Sequence, residues 1–264
     1  MERMEKSNVK KLSAQPIIEA IDLFCGIGGL SFGLKNGGIH VLAGYDLDSS
    51  CQYAFEANNG ATFHYKDIKE VMPEEILNTY SPHSIKLLAG CAPCQPFSSY
   101  AFKNKDSEKY DLLYEFGRLV KGVQPDIVTM ENVAQILTFK EKPVLSDFIS
   151  LLKEEGYCVS VDKVFCPDYG IPQSRKRLVL LASKFGEIKL MSPTHKPSNY
   201  VTVKDTIGGL PDLSAGEVDK QDPLHRARAL SPLNMKRIQS TPYGGSWRDW
   251  SEDLLLQCHK SENG

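Results

Sequence analysis

The sequence lacks the features that mark membrane-spanning and secreted proteins. No apolar run approaches the ~20 residues that a membrane helix needs, and residues 1–16 are polar and lysine-rich, without the apolar segment of a secretory signal. The seven cysteines are an odd number and do not show the spacing of a small disulfide scaffold. We therefore expect a cytoplasmic protein whose cysteines are free thiols.

The sequence also lacks a strong charge of either sign. Its 31 basic and 33 acidic residues give a formal net charge of −2, which excludes a histone-like polycation but leaves room for a local basic patch. The 264 residues are 41% hydrophobic, which is enough for a sizeable core. This length favours one large domain with a smaller second part.

Seven short apolar runs alternate with segments of helical periodicity. Strands are predicted at 17–23, 39–45, 61–65, 84–89, 126–130, 157–165 and 177–182, and helices near 29–37, 48–58, 73–80, 109–122 and 142–155. Strands that alternate with helices form βαβ units. The predicted fold class is therefore α/β, with a doubly wound, mostly parallel, Rossmann-like sheet.

The composition of the sequence changes near Met191, after which prolines and glycines interrupt every apolar segment. Such a loop-rich segment holds little core of its own. We predict a flexible leader at 1–16, a cofactor-binding catalytic domain at 17–190 and a smaller, loop-rich domain at 191–264.

A glycine turn, DLFCGIGGL, follows the first predicted strand and opens a helix. Glycines at this point let the backbone approach a ligand at the helix N-terminus. Asp46 ends the second strand 20 residues after Gly26, which is the place of a carboxylate that binds ribose hydroxyls. Asp67 ends the third strand and is placed for an adenine amine.

Two cofactors, and also a turn without a ligand, are compatible with this segment. A dinucleotide fingerprint would place a third small residue where Ser31 stands, which is a weak match. Asp22 would repel a pyrophosphate but suits a cationic sulfonium or ammonium group. S-adenosylmethionine carries both of these cations and has no phosphate.

A cysteine turn, GCAPCQPFS, follows the fourth predicted strand. Cys91 and Cys94 have the spacing of a thioredoxin-like redox pair, and a zinc site is the second alternative. No second ligand pair for zinc lies at a suitable spacing, and the six histidines are scattered. The position of the turn, at the edge of a predicted nucleotide pocket, favours the third alternative, in which Cys94 is a nucleophile.

A glutamate and two arginines are predicted to face the same crevice. Glu131 ends a strand in MENV, and Arg175 and Arg177 alternate in an extended segment, so they share one face. Each feature also has a plain explanation, because a strand-end glutamate is often a surface residue and neighbouring arginines often form a solvated basic edge.

Four segments together resemble the ordered motifs of the C5-cytosine DNA methyltransferases. They are DLFCGIGGLSFGL, GCAPCQPFS, MENV and DYGIPQSRKR, within residues 17–183. The segments TVKDTIGGLPDL and SPLNMKRI resemble the bacterial Dcm-like subset just before target recognition. This resemblance implies that residues 191–264 are part of a target-recognition domain. The resemblance implies S-adenosylmethionine as cofactor, S-adenosylhomocysteine as product, no metal, and a cytosine flipped out of duplex DNA in a restriction-modification setting.

The resemblance also implies roles for individual residues. Cys94 matches the nucleophile that adds to cytosine C6, Glu131 the acid at N3, Arg177 the arginine near O2, and Arg175 its companion. The implied cofactor-binding residues are Phe24, Gly26, Gly28, Gly29, Asp46, Leu47, Asp67, Ile68 and Pro93. The implied contacts to the substrate or DNA are Gln95, Ser98, Asn132, Gln173, Arg226, Arg228, Lys236 and Arg237.

Two motifs of that family are absent from the sequence: one around R-x-x-x-P-x-P-T, and a closing helix with a G-N-[SA]-V-like turn. We therefore expect either the larger part of a split enzyme, completed by a second polypeptide, or a truncated copy. A cytosine methyltransferase acting on structured RNA such as tRNA, and a relic that binds cofactor or DNA without turnover, are the alternatives.

Overall fold

The structure is a computed structural model that describes residues 16–93, 111–138 and 143–260. The chain divides into two compact units, the first ending at Thr202 and the second beginning at Val203. Residues 191–202 belong to the first unit, where the Thr194 and His195 N–H groups donate to the carbonyl of Asp168. The predicted boundary near residue 190 therefore lies within the first unit. That the catalytic domain ends there stays a prediction.

The first unit is built on a seven-stranded sheet in the order β3-β2-β1-β4-β5-β7-β6. Six strands run in one direction, and β7 runs against both of its neighbours. The strands are β1 (Ile18–Leu23), β2 (His40–Asp46), β3 (Thr62–Tyr65), β4 (Ile85–Gly90), β5 (Ile127–Val133), β6 (Cys158–Phe165) and β7 (Lys176–Ser183). The predicted α/β class and mostly parallel sheet are confirmed.

Five helices of the first unit alternate with the strands. They are α1 (Gly29–Asn36), α2 (Gln52–Asn59), α3 (Pro73–Thr79), α4 (Asp111–Val123) and α5 (Val144–Glu154). The second unit contains α6 (Val203–Ile207) and α7 (Pro232–Gln239). Within the described ranges, no helix is long and apolar enough to cross a membrane.

Buried apolar side chains cover both faces of the sheet. Along β1, Ala20 belongs to one core cluster and Ile21 to the other, as the alternation of a strand requires. Phe116 of α4 and Phe148 of α5 pack in the cluster of Ile21, with ring centroids 5.2 Å apart. Both faces are therefore closed by side chains, so ligand sites are expected at the carboxyl edge of the sheet.

The reversal of β7 positions residues for function. Only residues 166–175 join β6 to β7, and they contain one short 3₁₀ turn, Cys166–Tyr169. This connection is shorter than a parallel crossover requires, so β7 returns antiparallel beside β6. The beginning of β7 consequently lies at the edge where β5 ends, and Arg177 pairs with Val133.

The second unit holds a cluster of rings and cations. The Trp250 indole N–H donates to Thr241 Oγ1 at 2.7 Å, and the Arg237 guanidinium lies 5.6 Å from the Trp250 ring centroid. The rings of Trp247 and His259 stack with centroids 4.4 Å apart. These contacts organise a unit that has little regular secondary structure.

Candidate active site and cofactor pocket

A cavity of about 350 Å³ opens where β1, β2, β3 and β4 end. This volume lies in the range of small-molecule sites. Six residues predicted to bind the cofactor line it, namely Phe24, Asp46, Leu47, Asp67, Ile68 and Pro93. The remaining lining residues, Tyr45, Lys66, Lys69, Cys91 and Leu112, were not predicted.

Phe24 reaches this cavity through a strained backbone. Its φ of 58° lies in the left-handed region, which is rare for a bulky side chain. Such a conformation costs on the order of 1–3 kcal/mol and persists only where the surroundings impose it. Two residues later the turn continues through Gly26, also at positive φ. The strain turns the chain sharply at the end of β1 and brings Phe24 to the cavity wall.

Asp46 holds the glycine turn from the neighbouring strand. Its Oδ2 accepts the Gly26 N–H at 2.8 Å, and its Oδ1 accepts the Asp48 N–H at 2.9 Å. Each carboxylate oxygen can accept a further hydrogen bond. Asp46 can therefore both fix the turn and bind a hydroxyl in the cavity.

The other two predicted cofactor glycines line a separate, smaller cavity. Gly28 and Gly29 contact an apolar space of about 280 Å³, together with Ile27 and Phe32, which are exposed. At Gly28, φ is 90° and a Cβ atom would lie 2.2 Å from the amide nitrogen of Asn59, so glycine is required there for close packing. Gly26, Gly28 and Gly29 shape the turn, and their contact with a cofactor stays a prediction.

The interpretation of Asp22 needs correction. We expected its carboxylate to face a cationic cofactor, but the side chain is completely buried beneath the turn. Its Oδ2 accepts the Ser31 hydroxyl at 2.7 Å, and within the described residues its Oδ1 has no hydrogen-bond partner. Burial raises the pKa of Asp22 to about 7, against the lowering effect of Ser31. Ser31, in the first turn of α1, is itself completely buried, so this carboxyl does not reach the cavity surface.

Glu131 and Arg177 form an ion pair at the edge of the sheet. Arg177 Nε lies 2.5 Å from Glu131 Oε1, and both side chains are partly buried. The pair follows from strand register, because Arg177 is paired with Val133, and Val133 shares a strand face with Glu131. The structure thus brings together an acid and an arginine that are 46 residues apart in sequence.

The pKa of Glu131 reflects opposing influences. Burial raises it, while a hydrogen bond with the Cys91 thiol and the charge of Arg175 lower it, and the net direction is upward. The same burial raises the pKa of the Cys91 thiol. A largely neutral Cys91 is a poor nucleophile. Cys91 instead connects Glu131 to the cavity, since its side chain also lines the cavity wall.

Asn132 is placed differently from the expected substrate contact. Its side chain is 2% exposed, and Nδ2 donates to the Ala92 carbonyl at 3.2 Å. The Oδ1 accepts the Val133 N–H at 2.8 Å. The buried amide therefore holds the cysteine turn, and its contact with the substrate stays a prediction. Gln173, by contrast, is exposed beside Arg175.

Three predicted site residues, Cys94, Gln95 and Ser98, lie outside the described residues. Of the four predicted phosphate contacts, Arg226, Arg228 and Lys236 are exposed in the second unit. Arg237 is committed to internal contacts, with Nε donating to the Leu254 carbonyl at 2.7 Å. Arg237 therefore has a structural role, and its contact with DNA stays a prediction.

The described part of the chain contains no group of three or more metal-ligating side chains, so it offers no site for the zinc alternative.

Several cavity residues escaped prediction for identifiable reasons. Tyr45 is buried and stacked on His64 with ring centroids 4.6 Å apart, so it was counted as strand core. Leu112 stands in the first turn of α4 and carries no polar signal. The position of Tyr45 directly before Asp46 is the one signal in the sequence that could have indicated it.

Comparison with known proteins gives a consistent family. The family model of the C-5 cytosine-specific DNA methylases matches residues 18–223. The Type II methylase M.HgiDII of Herpetosiphon aurantiacus is 49% identical over 244 residues, covering 92% of this chain and 69% of that protein. The Type II methyltransferase M1.HphI of Haemophilus parahaemolyticus is 30% identical over 239 residues, covering 89% of this chain and 63% of that protein.

Solved structures agree with this result. A prophage-encoded E. coli protein described as a DNA modification methyltransferase has a TM-score of 0.65 at 28% identity, covering 76% of this chain and 57% of that one. S. pombe Dnmt2, with a TM-score of 0.53 at 16% identity over 90% of this chain and 64% of that one, supports the fold alone. The resemblance found in the four motifs is confirmed, and the chain belongs to the C-5 cytosine-specific DNA methylase family.

Proposed function

We propose that this chain forms the catalytic part of an enzyme that transfers a methyl group from S-adenosylmethionine to carbon 5 of cytosine in a specific duplex DNA sequence. The observation that carries the proposal is the Glu131–Arg177 ion pair, which contacts the cofactor-sized cavity through Cys91. The chain runs from the cavity wall at Pro93 directly to Cys94. Cofactor, acid and nucleophile are thus predicted to share one edge of the sheet.

The residues of the cavity fit S-adenosylmethionine. The carboxylates of Asp46 and Asp67 supply acceptors for ribose hydroxyls and an adenine amine, and Phe24, Ile68 and Leu112 supply apolar walls for the adenine faces. When bound, this cofactor supplies a methyl group activated by its sulfonium.

The chemistry requires a nucleophile because C5 of cytosine is too electron-poor to attack a methyl group unaided. In the proposed reaction the Cys94 thiolate forms a bond to C6, which makes C5 an enamine carbon. C5 would then take the methyl group as the methyl–sulfonium bond breaks and S-adenosylhomocysteine is released. A base removes the C5 proton, and the bond between C6 and the Cys94 sulfur breaks, which restores the ring and the thiolate. Because free cysteine is only slightly ionised near neutral pH, the site must favour the thiolate of Cys94.

Glu131 is proposed to assist by hydrogen bonding to cytosine N3. Burial shifts the pKa of Glu131 upward, which is the direction that favours proton donation to N3, and a protonated N3 makes C6 more electrophilic. Arg177 holds the Glu131 carboxyl in place and is proposed to reach the cytosine O2, with Arg175 beside it. Cys91 hydrogen bonds to the same carboxyl and limits its orientation.

Recognition of DNA is proposed to involve both units. A cytosine in a stacked duplex is inaccessible to a thiol, so the base must be flipped out. Gln95, Ser98 and Gln173 are proposed to contact the flipped base or its surroundings, and Arg226, Arg228 and Lys236 are exposed for phosphate contacts. The second unit would then be part of the target-recognition domain.

A further polypeptide segment is proposed to complete the enzyme. The two relatives extend beyond the matched part, since 69% and 63% of their lengths are covered. Ile27 and Phe32 form an exposed apolar surface next to the glycine turn, and this supports a covering partner. Adding a polypeptide with the two missing motifs should raise methylation and thermal stability, whereas full activity of the chain alone would contradict this requirement.

The setting is proposed to be the bacterial cytoplasm, in a restriction-modification system. This rests on the names of the two bacterial relatives, which are Type II methylases.

The proposed activity is tested by methyl transfer from radiolabelled S-adenosylmethionine, followed by nucleoside analysis of the product. We expect 5-methylcytosine in duplex DNA. Label only in tRNA would favour the RNA alternative, and binding without transfer in any complemented form would favour a non-catalytic relic.

A further inference from the structure

Arg118 connects two parts of the cofactor cavity that are far apart in sequence. From α4, its Nη2 donates to the carbonyl of Ile68 at 3.0 Å and to the carbonyl of Val71 at 3.1 Å. Its Nε donates to Glu115 Oε2 at 2.6 Å, one turn earlier in the same helix. The guanidinium is therefore held on both sides, and its planar fork suits this set of acceptors.

The Ile68 carbonyl begins, and the Val71 carbonyl directly follows, the turn next to the predicted adenine-binding residue Asp67. This 3₁₀ turn, Ile68–Glu70, begins after Asp67, whose Oδ1 accepts the Lys69 N–H at 3.0 Å. Asp67 and Ile68 both line the cavity. Leu112, six residues before Arg118 in α4, lines the same cavity. Arg118 thus ties one wall of the cavity to the helix that provides another.

We infer that Arg118 is a positioning residue for the cofactor, acting through the Asp67 turn rather than by touching the ligand. This inference rests on the proposed function, since it assumes that S-adenosylmethionine occupies the cavity. Without the guanidinium, the two carbonyls lose a charged donor and the turn loses its hydrogen-bonded attachment to α4, which leaves apolar packing alone to hold it. The Asp67 carboxylate would then no longer be held where it meets the adenine amine.

The test is the affinity of the full chain for S-adenosylmethionine, measured by equilibrium dialysis with radiolabelled cofactor. We expect Arg118→Met to weaken binding by about tenfold, or ~1.4 kcal/mol. This is below the full value for bonds to a charged group because the side chain is 37% exposed. Arg118→Lys, which keeps the charge and one donor, should lose less. Lys121→Met removes a charge from an exposed position of the same helix and should leave affinity within about twofold.

A double-mutant cycle separates positioning from general damage to the fold. If Arg118 acts through Asp67, Arg118→Met should weaken binding by less than about threefold in an Asp67→Ala background. A full tenfold loss in that background, or an Arg118→Met affinity equal to that of the unaltered chain, would overturn the inference. An unaltered chain that binds no S-adenosylmethionine, even with its complementing segment, would instead contradict the proposed function.

Discussion

At the scale of single residues, Asp22 carries a carboxyl group in an environment that disfavours its charge. The side chain is fully buried, one oxygen accepts the Ser31 hydroxyl, and its pKa is raised to about 7. The folded state therefore binds this proton more tightly than the unfolded chain. The stability that the protonated group contributes is complete below its ordinary pKa of 3.8 and is lost as the pH rises through about 7.

Asp22→Asn removes this dependence because the amide is neutral at every pH and can still bond Ser31. We expect the variant to gain stability relative to the unaltered chain between pH 5 and pH 8, by at most about 2–3 kcal/mol. Denaturant unfolding across this range measures the difference. Asp162→Asn, at an exposed position of β6, is the control and should show no trend. A constant difference for Asp22→Asn would mean that the carboxyl stays ionised in the folded state.

Sequence reasoning at this scale succeeded where position within a strand decided the outcome. Asp46 and Asp67 could be placed at the cavity because they follow strands that end at the same edge. Asp22 was misjudged because nothing in the sequence shows that Ser31 closes over it. Arg118 was missed because its acceptors are backbone carbonyls 50 and 47 residues away, and backbone acceptors leave no trace in residue identity.

At the scale of elements, the neighbouring strands β5 and β7 together form the site that contains the Glu131–Arg177 ion pair. The antiparallel return of β7 delivers Arg177 to the edge where Glu131 stands, and β5 also provides Asn132, which bonds the turn after β4. Apolar runs predicted all seven strands, with ends within three residues of the observed limits. The strand order and the direction of β7 depend on tertiary pairing, which apolar periodicity does not encode.

The buried amide of Asn132 gives a prediction at this scale. Asn132→Ala leaves the Ala92 carbonyl without its donor, two residues before Cys94. A displaced nucleophile should lower the methyl-transfer rate by about 10- to 100-fold, while the affinity for S-adenosylmethionine stays within about twofold. Single-turnover transfer and equilibrium binding measure the two quantities. Asn36→Ala, at the exposed end of α1, should change neither. An equal loss in both quantities for Asn132→Ala would indicate collapse of the cavity instead.

At the scale of the whole molecule, charge is unevenly distributed. The chain has a net charge of −2, yet residues 220–250 contain six basic and two acidic residues, or +4. The exposed members of this segment include Arg226, Arg228 and Lys236. Exposed cations in such a segment suit the phosphate backbone, and phosphate contacts position DNA without reading its sequence.

Salt dependence tests this distribution. If Arg228 contacts a phosphate, Arg228→Ala should reduce the slope of log binding constant against log salt concentration by about 0.9, and should weaken all DNA sequences alike. Fluorescence anisotropy with duplexes of different sequence gives the slope. Lys153→Ala, an exposed cation of α5, should leave it unchanged. A binding constant that does not change with salt concentration would show that the cations of the second unit do not contact the DNA.

The proposed function depends on a covalent bond between Cys94 and cytosine, and this bond can be trapped. Duplex DNA containing 5-fluorocytosine has no C5 proton to lose, so a methylated adduct cannot release the enzyme. With S-adenosylmethionine and the complementing segment, we expect a denaturant-stable protein–DNA adduct from the unaltered chain and from Cys91→Ala, and none from Cys94→Ala. An adduct that persists in Cys94→Ala, or one that Cys91→Ala and Cys94→Ala abolish equally, would contradict it.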